Sequence, residues 1–246
     1  MGKANQVREM QLRFDTPLVP GTLLRRYQRF LADVRLEDGA QITAHCPTTG
    51  SMLGCAEPGS RVWLVHAPAP TRKYAYSWEL TDLGGGCLVG INTHRSNALV
   101  REALHAGRLP ALAGYDSIRA EAAYGEEGSR VDFLLSAAER PPCYVEVKNV
   151  TAAVQDGVAL FPDAVSARAS KHLRELMQVV RSGARAALVF CVQRDDVQEV
   201  RPAGAIDPLY ERTMGEALAA GVEAMALCAR LDPLGITLET AVPVRL

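Results

Sequence analysis

Ser129-Arg130-Val131-Asp132-Phe133-Leu134-Leu135, followed after a short link by Cys143-Tyr144-Val145-Glu146-Val147-Lys148-Asn149, is the stretch whose reading decides the second half of this chain. Both segments alternate apolar and polar residues with the period of a strand, in which neighbouring side chains point to opposite faces. On the first, Val131, Phe133 and Leu135 are expected to share a buried face, leaving Asp132 on the other. On the second, Val145 and Val147 share the buried face and Glu146 and Lys148 the opposite one. The link carries Pro141-Pro142, and the two strands are expected to pair as a hairpin. That pairing gathers Asp132, Glu146 and Lys148 on one surface, and Glu121 on the preceding strand-like run Ser117–Tyr124 is placed to join them.

The chemistry such a set suits is phosphodiester hydrolysis. Carboxylate oxygens hold a hard cation such as Mg²⁺ or Mn²⁺, which needs only one or two protein carboxylates. The cation lowers the pKa of a bound water and offsets charge on the phosphate. Asp132, Glu146 and Glu121 are the carboxylates available to such a cation, and Lys148 beside them can position the water, assist its deprotonation or stabilise the developing charge. An E-x-K triplet by itself is a common solvated ion pair. What sets this chain apart is that R-x-D, E-x-K and the strand period occur together.

Outward from this centre the pattern changes on both sides. Ser96–His105 has helical spacing, and a longer helix is expected from about Val165 to Arg181, with Asp163 as its cap. Ala184–Gln193 is a continuous apolar run, as in a strand buried on both faces. A helix near Leu209–Ala220 and strands near Val222–Arg230 and Ile236–Arg245 complete an order of α-β-β-β-α-β-α-β. The first third is read as all-β, with runs Thr22–Leu36, Ile42–His45, Arg61–His66 and Tyr74–Asp82 between turn signals, the pattern of a small barrel. Gly84-Gly85-Gly86 is the expected boundary, giving domains 1–84 and 85–246.

Within the first domain, Arg72, Tyr74, Tyr76 and Trp78 alternate as on a strand face, beside Lys73. Cations interleaved with aromatics suit the phosphates and bases of a single strand, although Tyr76 and Trp78 are expected rather to fill the barrel core. Arg25 and Arg29 are further candidates for phosphate contacts, as are Arg168 and Lys171 on the long helix. His172 on the flank of that helix reads as structural.

Bulk composition excludes little. The 246 residues are 48% hydrophobic and 22% charged, ordinary for a globular protein. Lys+Arg total 27 against 28 Asp+Glu, and the first 84 residues hold 10 and 8 of these, so the slight acidic excess lies in the second half. No run reaches the length of a membrane span, and the N-terminus lacks the apolar segment of a secretory signal. The six scattered cysteines, with no C-x-x-C, are expected to be reduced and mostly buried. A cytoplasmic protein is expected, with no membrane partner; a homodimer is compatible with the sequence.

Longer motifs give a family resemblance. Glu121…Tyr124-Gly125…Ser129-Arg130-Val131-Asp132-Phe133, then Cys143-Tyr144-Val145-Glu146-Val147-Lys148, then Phe161-Pro162-Asp163-Ala164-Val165…Arg168…Lys171-His172-Leu173…Glu175-Leu176 closely resemble the bacterial and archaeal SfsA family, the sugar fermentation stimulation proteins. So do Tyr27–Val34, His45–Met52 and Arg72-Lys73-Tyr74…Trp78-Glu79-Leu80. Thr48 stands where the family usually has Asn. The resemblance runs from about Leu12 onward, and Met1–Gln11 reads as an extension.

It implies a two-domain α+β protein: an N-terminal OB-type β-barrel, then a domain of the PD-(D/E)XK restriction-endonuclease-like class. Asp132 and Glu146 match that class's metal ligands, Lys148 its catalytic lysine and Glu121 its outer acid. The family is described as DNA-binding and linked to sugar use. Three readings follow: a Mg²⁺-dependent nuclease acting on single-stranded or structured DNA or on RNA, a DNA-binding regulator with a relict site, and a docking protein. No helix-turn-helix signature supports a conventional repressor.

Overall fold

The computed structural model describes residues 12–48, 50–125 and 128–246, and the extension read at Met1–Gln11 lies outside them. The first strands are β1 (Leu12–Arg13), β2 (Val19–Tyr27), β3 (Leu31–Leu36), β4 (Gln41–His45), β5 (Arg61–His66), β6 (Tyr76–Asp82) and β7 (Leu88–Gly90). The run expected over Thr22–Leu36 breaks into the hairpin β2–β3 because Gln28 and Arg29 both adopt positive φ, the geometry that reverses a chain. Sheet order is β4-β3-β2-β5-β6-β7, and β4 also pairs in parallel with β6 through Ala44–Tyr76 and His45–Ser77. That last pairing closes a five-strand barrel, which removes the exposed edges of its sheet. Leu23, Val34, Ala44, Val62, Leu64 and Trp78 fill the interior. The Trp78 indole donates to the Leu80 carbonyl at 3.0 Å, so its polar end is satisfied inside.

The triglycine expected as the domain boundary turns the β6–β7 hairpin instead. Its three residues have φ of 87°, 65° and 87°, which glycine adopts without steric cost, and the barrel sheet continues to Gly90. At the other end, β1 leaves the barrel domain and pairs with the last strand of the chain.

The second domain begins with α1 (Ser96–His105), then β8 (Ser117–Tyr124), β9 (Ser129–Ala137) and β10 (Arg140–Val150), as the sequence pattern led one to expect. There follow β11 (Ala153–Gln155), β12 (Val158–Phe161), α2 (Ala167–Arg181), β13 (Arg185–Val192), β14 (Glu199–Pro202), α3 (Pro208–Ala219), β15 (Glu223–Asp232) and β16 (Gly235–Val242). The main sheet runs β1-β16-β15-β13-β10-β9-β8, parallel at β10–β13 and β13–β15. Strands β11, β12 and β14 make a small separate sheet that the sequence reading did not contain. One face of the main sheet packs on α1 through Leu99, Val100 and Ala103, the other on α2 and α3 through Leu173, Leu176 and Met214. Helix α2 is capped by Ser166, whose side chain accepts from Ala169 N, and not by Asp163. Asp207 caps α3 from one carboxylate oxygen and holds Ser166 N with the other, so one side chain fixes the entry of both helices.

Candidate metal and nucleic-acid site

The β9–β10 ladder pairs Leu135 with Cys143, Leu134 with Tyr144 and Phe133 with Val145. At the next position the Asp132 side chain reaches across, and its Oδ2 accepts from Val147 N at 2.7 Å. Its Oδ1 accepts from Asn97 Nδ2 on α1 at 2.8 Å. The expected alternation holds on β10, where Val145 and Val147 pack towards α1. On β9 it fails at one point. Phe133 and Leu135 lie in the α1-side core, but Val131 packs with the α2-side core, together with Ala122 opposite it. The faces exchange at Asp132, across from Glu121, whose φ of 52° takes the edge strand out of regular extension. A non-glycine residue held there is a departure of the kind found at functional sites.

Glu146 is 3% exposed. Its Oε1 accepts from Lys148 Nζ at 2.8 Å and from His172 Nδ1 on α2. Arg168 Nε donates to His172 Nε2 at 3.4 Å, which assigns the imidazole proton to Nδ1. Glu146 Oε2 has no partner although it is buried. Burial pushes the Asp132 carboxyl up, and the charge of Glu146 adds to this. Burial acts in the same sense on Glu146, but the His172 hydrogen bond and the Lys148 charge outweigh it and hold that group below the ordinary range. One carboxylate is thus kept ionised by its donors while its neighbour is strained by it.

The donors present fit a hard divalent cation. Asp132 and Glu146 offer oxygens from adjacent strands, and the orphaned Glu146 Oε2 is a buried acceptor of the kind a cation satisfies. Glu121, Asp132, Glu146, Arg130, Arg168, Lys171 and His172 border one cleft of about 400 Å³. Glu121 is exposed, and its backbone carbonyl accepts from Arg130 at 3.1 Å. The one trio of potential ligand atoms within 4.8 Å of one another, among the described residues, lies elsewhere, at Cys87, Asp195 and Asp196. There Arg194 already takes both oxygens of Asp196.

A second cleft of about 420 Å³ lies between the domains, bordered by Thr48, Gly50, Thr93, Lys148, Asn149 and Arg168 among others. Arg168 borders both clefts. The domains are fixed to each other around it. Asp163 Oδ2 accepts from Met52 N at 3.3 Å and from Ser51 Oγ at 3.4 Å, which is the role it has in place of helix capping. The buried Arg194 donates to the Thr151 carbonyl at 2.9 Å and to Cys55 Sγ.

Other predicted nucleic-acid residues are dispersed. Arg25 pairs with Asp33 at 2.8 Å and lies over the Tyr27 ring. Arg29 is exposed on the β2–β3 turn. Arg72, Lys73 and Tyr74 precede β6 in a loop, so they do not form one strand face with Trp78, which is core. Lys73 lies 5.4 Å from the Tyr74 ring centroid, and Arg72 donates to Ser77 Oγ at 2.7 Å. The sequence reading missed the functional placement of His172, and it missed Asn97 and Asn149 altogether, which no motif spacing marks. The six cysteines are free and all but Cys87 are buried, as expected.

Comparison with known proteins agrees with this architecture. Residues 24–91 match the family profile described as the SfsA N-terminal OB domain, and residues 94–235 match the sugar fermentation stimulation protein RE domain. The chain belongs to the SfsA family. A sugar fermentation stimulation protein homolog of Thioalkalivibrio sulfidiphilus is 60% identical over 235 residues, covering 96% of this chain and 98% of the relative. One from Alkalilimnicola ehrlichii is 58% identical over 233 residues, covering 94% and 98%. Among solved structures, Pyrococcus furiosus SfsA in complex with Ca²⁺ superposes with a TM-score of 0.84 at 28% identity, covering 97% of this chain and all of that one. This SfsA chain has no helix, among its described residues, long and apolar enough to cross a membrane.

Proposed function

We propose that the protein is a metal-dependent phosphodiesterase acting on DNA, with Asp132 and Glu146 as ligands of Mg²⁺ or Mn²⁺ and Lys148 beside them. The observation that carries this is the arrangement of Glu146. One oxygen is fixed by Lys148 and His172, the other is buried without a partner, and Asp132 stands on the adjoining strand. The Ca²⁺ complex of the Pyrococcus relative supports a divalent cation in this fold.

The bound cation supplies charge neutralisation at the phosphate and a water of lowered pKa. The chain's own groups do the rest. Lys148 borders the interdomain cleft with its ammonium group held to Glu146, where it would orient the attacking water and balance charge developing on phosphate oxygen. His172 holds Glu146 in the rotamer that leaves Oε2 free. Arg168 and Lys171 border the cleft as phosphate-binding cations, and Glu121 stands at its outer rim. Merely binding a strand requires none of the buried carboxylates, which favours cleavage over a relict site. Six unbridged cysteines suit a cytoplasmic enzyme.

The test is cleavage of end-labelled single-stranded, duplex and branched DNA, and of RNA, in Mg²⁺ or Mn²⁺ beside a Lys148→Ala control. Metal-dependent cutting that the control lacks supports the proposal and names the substrate. DNA bound equally by both and cut by neither refutes it in favour of a non-catalytic DNA-binding regulator.

A further inference from the structure

Of the two clefts that share Arg168, the larger is lined by both domains. Thr93, on the wall of the interdomain cleft, donates from Oγ1 to the Pro47 carbonyl at 3.1 Å, which seats the 93–94 segment on the turn that follows β4. His94 is exposed beside it. Two residues before Pro47, the half-buried His45 pairs with Ser77 across the β4–β6 closure, and Ser77 is where the Arg72 guanidinium is held. His45, His94 and Arg72 therefore stand together: burial lowers the imidazole of His45, and the charges of His94 and Arg72 lower it further. Among the described residues, the one acidic side chain bordering the interdomain cleft, Asp163, is turned to the barrel turn by its bonds to Met52 N and Ser51.

We propose that a single nucleic-acid strand lies along this line, from the Asp132–Glu146 site past Lys148 and Arg168, through the interdomain cleft, and out over His94, His45 and Arg72. This rests on the phosphodiesterase reading and goes beyond it by fixing the substrate's path and strandedness. The track presents cations and imidazoles in series, as a polyanion requires. Asn149 on the cleft wall has its carbonyl oxygen taken by Ser96 and Gln193. Its amide donors are thereby aimed away from those partners. A cleft of about 420 Å³ is the size that receives a group such as a nucleotide. The walls are tied together through Asp163, Cys55, Thr151 and Arg194, so they do not part for a duplex. The strand thus crosses the barrel at its β4–β6 seam, and Arg25 and Arg29 take no part.

The experiment measures anisotropy of labelled oligothymidylate with the full-length protein in EDTA, so that nothing is cut, across a salt series. Wild type is compared with Arg72→Ala/His94→Ala and with Arg25→Ala/Arg29→Ala. The path predicts weaker binding by the first variant, with the salt slope reduced by about 0.7 for each phosphate it no longer neutralises. It predicts no change in the second. A photoreactive thymidine in the same oligonucleotide should crosslink to segments 45–48 and 93–94, a readout that does not depend on the variants. Binding by wild type that the first variant retains in full, or that the second loses, overturns the path and leaves the phosphodiesterase standing. Preference for a duplex over the single strand overturns it too. Cleavage of a duplex with no affinity for oligothymidylate does the same, whereas absence of both binding and cleavage refutes the underlying function.

Discussion

Replacing His172 by alanine tests the site where its geometry is most specific. The imidazole supplies one of the two donors that hold Glu146 Oε1, Lys148 Nζ at 2.8 Å being the other, and it is itself steadied by Arg168. Without it the carboxylate can turn about its terminal torsion, and both oxygens become alternative partners for the single lysine. Outer partners of metal ligands are typically worth about 10- to 100-fold in metal affinity, which is about 1.4–2.7 kcal/mol. His172→Asn places an amide donor close to the position of Nδ1 and should recover most of the loss. Calorimetric titration with Ca²⁺ reads affinity without turnover, and a melting curve in EDTA separates it from stability. If His172→Ala binds Ca²⁺ as wild type does while melting lower, His172 is a packing residue and does not position Glu146. If the asparagine variant is no better than the alanine variant, the donor role is wrong.

Asp132→Asn should flatten the pH dependence of the metal-free protein's stability, although its single acceptor oxygen leaves one of the two donors, Val147 N or Asn97 Nδ2, without its partner. Burial and Glu146 raise this carboxyl, so the native state holds its proton more tightly than the unfolded chain, and stability falls as pH rises from the usual Asp range through the raised value. Melting temperatures against pH should show that slope in wild type and not in the variant, and saturating Ca²⁺ should raise the wild-type melting temperature more than the variant's. Trp78→Ala removes a fully buried ring from the barrel and should cost about 3–5 kcal/mol in urea unfolding; a smaller loss accompanied by a large loss of DNA affinity would reinstate it as a base platform. Gly50→Ala puts a methyl group into the Asp163 carboxylate that bridges the domains. It should cost about 1–3 kcal/mol by overpacking, and calorimetry should show the two domains beginning to melt separately.

Much of this molecule is written in local periodicity. The runs that became β9, β10 and α2 alternate or repeat because each face of a strand or helix meets one environment, and the run that became β13 is apolar throughout because both its faces are buried. The pairing of Glu146 with Lys148 is equally local, since residues two apart on a strand share a face. The longer motifs carried the family and hence both domains. What periodicity could not show is where two segments meet. Asn97 stands 35 positions before Asp132, His172 stands 26 after Glu146, and Asp163 reaches Met52 across 111. Each of those contacts depends on how sheet, helix and barrel are stacked. The same holds for Val131, which obeys strand alternation in the sequence and departs from it in the fold because Glu121, on the neighbouring strand, turns the edge of the sheet. The triglycine, expected as the domain boundary, turns the β6–β7 hairpin, for a turn's residues record the backbone angles it needs and not which elements it joins. The sequence alone determined the elements and the acidic pair with its lysine; the tertiary structure decided that a histidine from α2 and an asparagine from α1 hold that pair in place, because only folding brings hydrogen-bond donors from distant segments to the same buried oxygens.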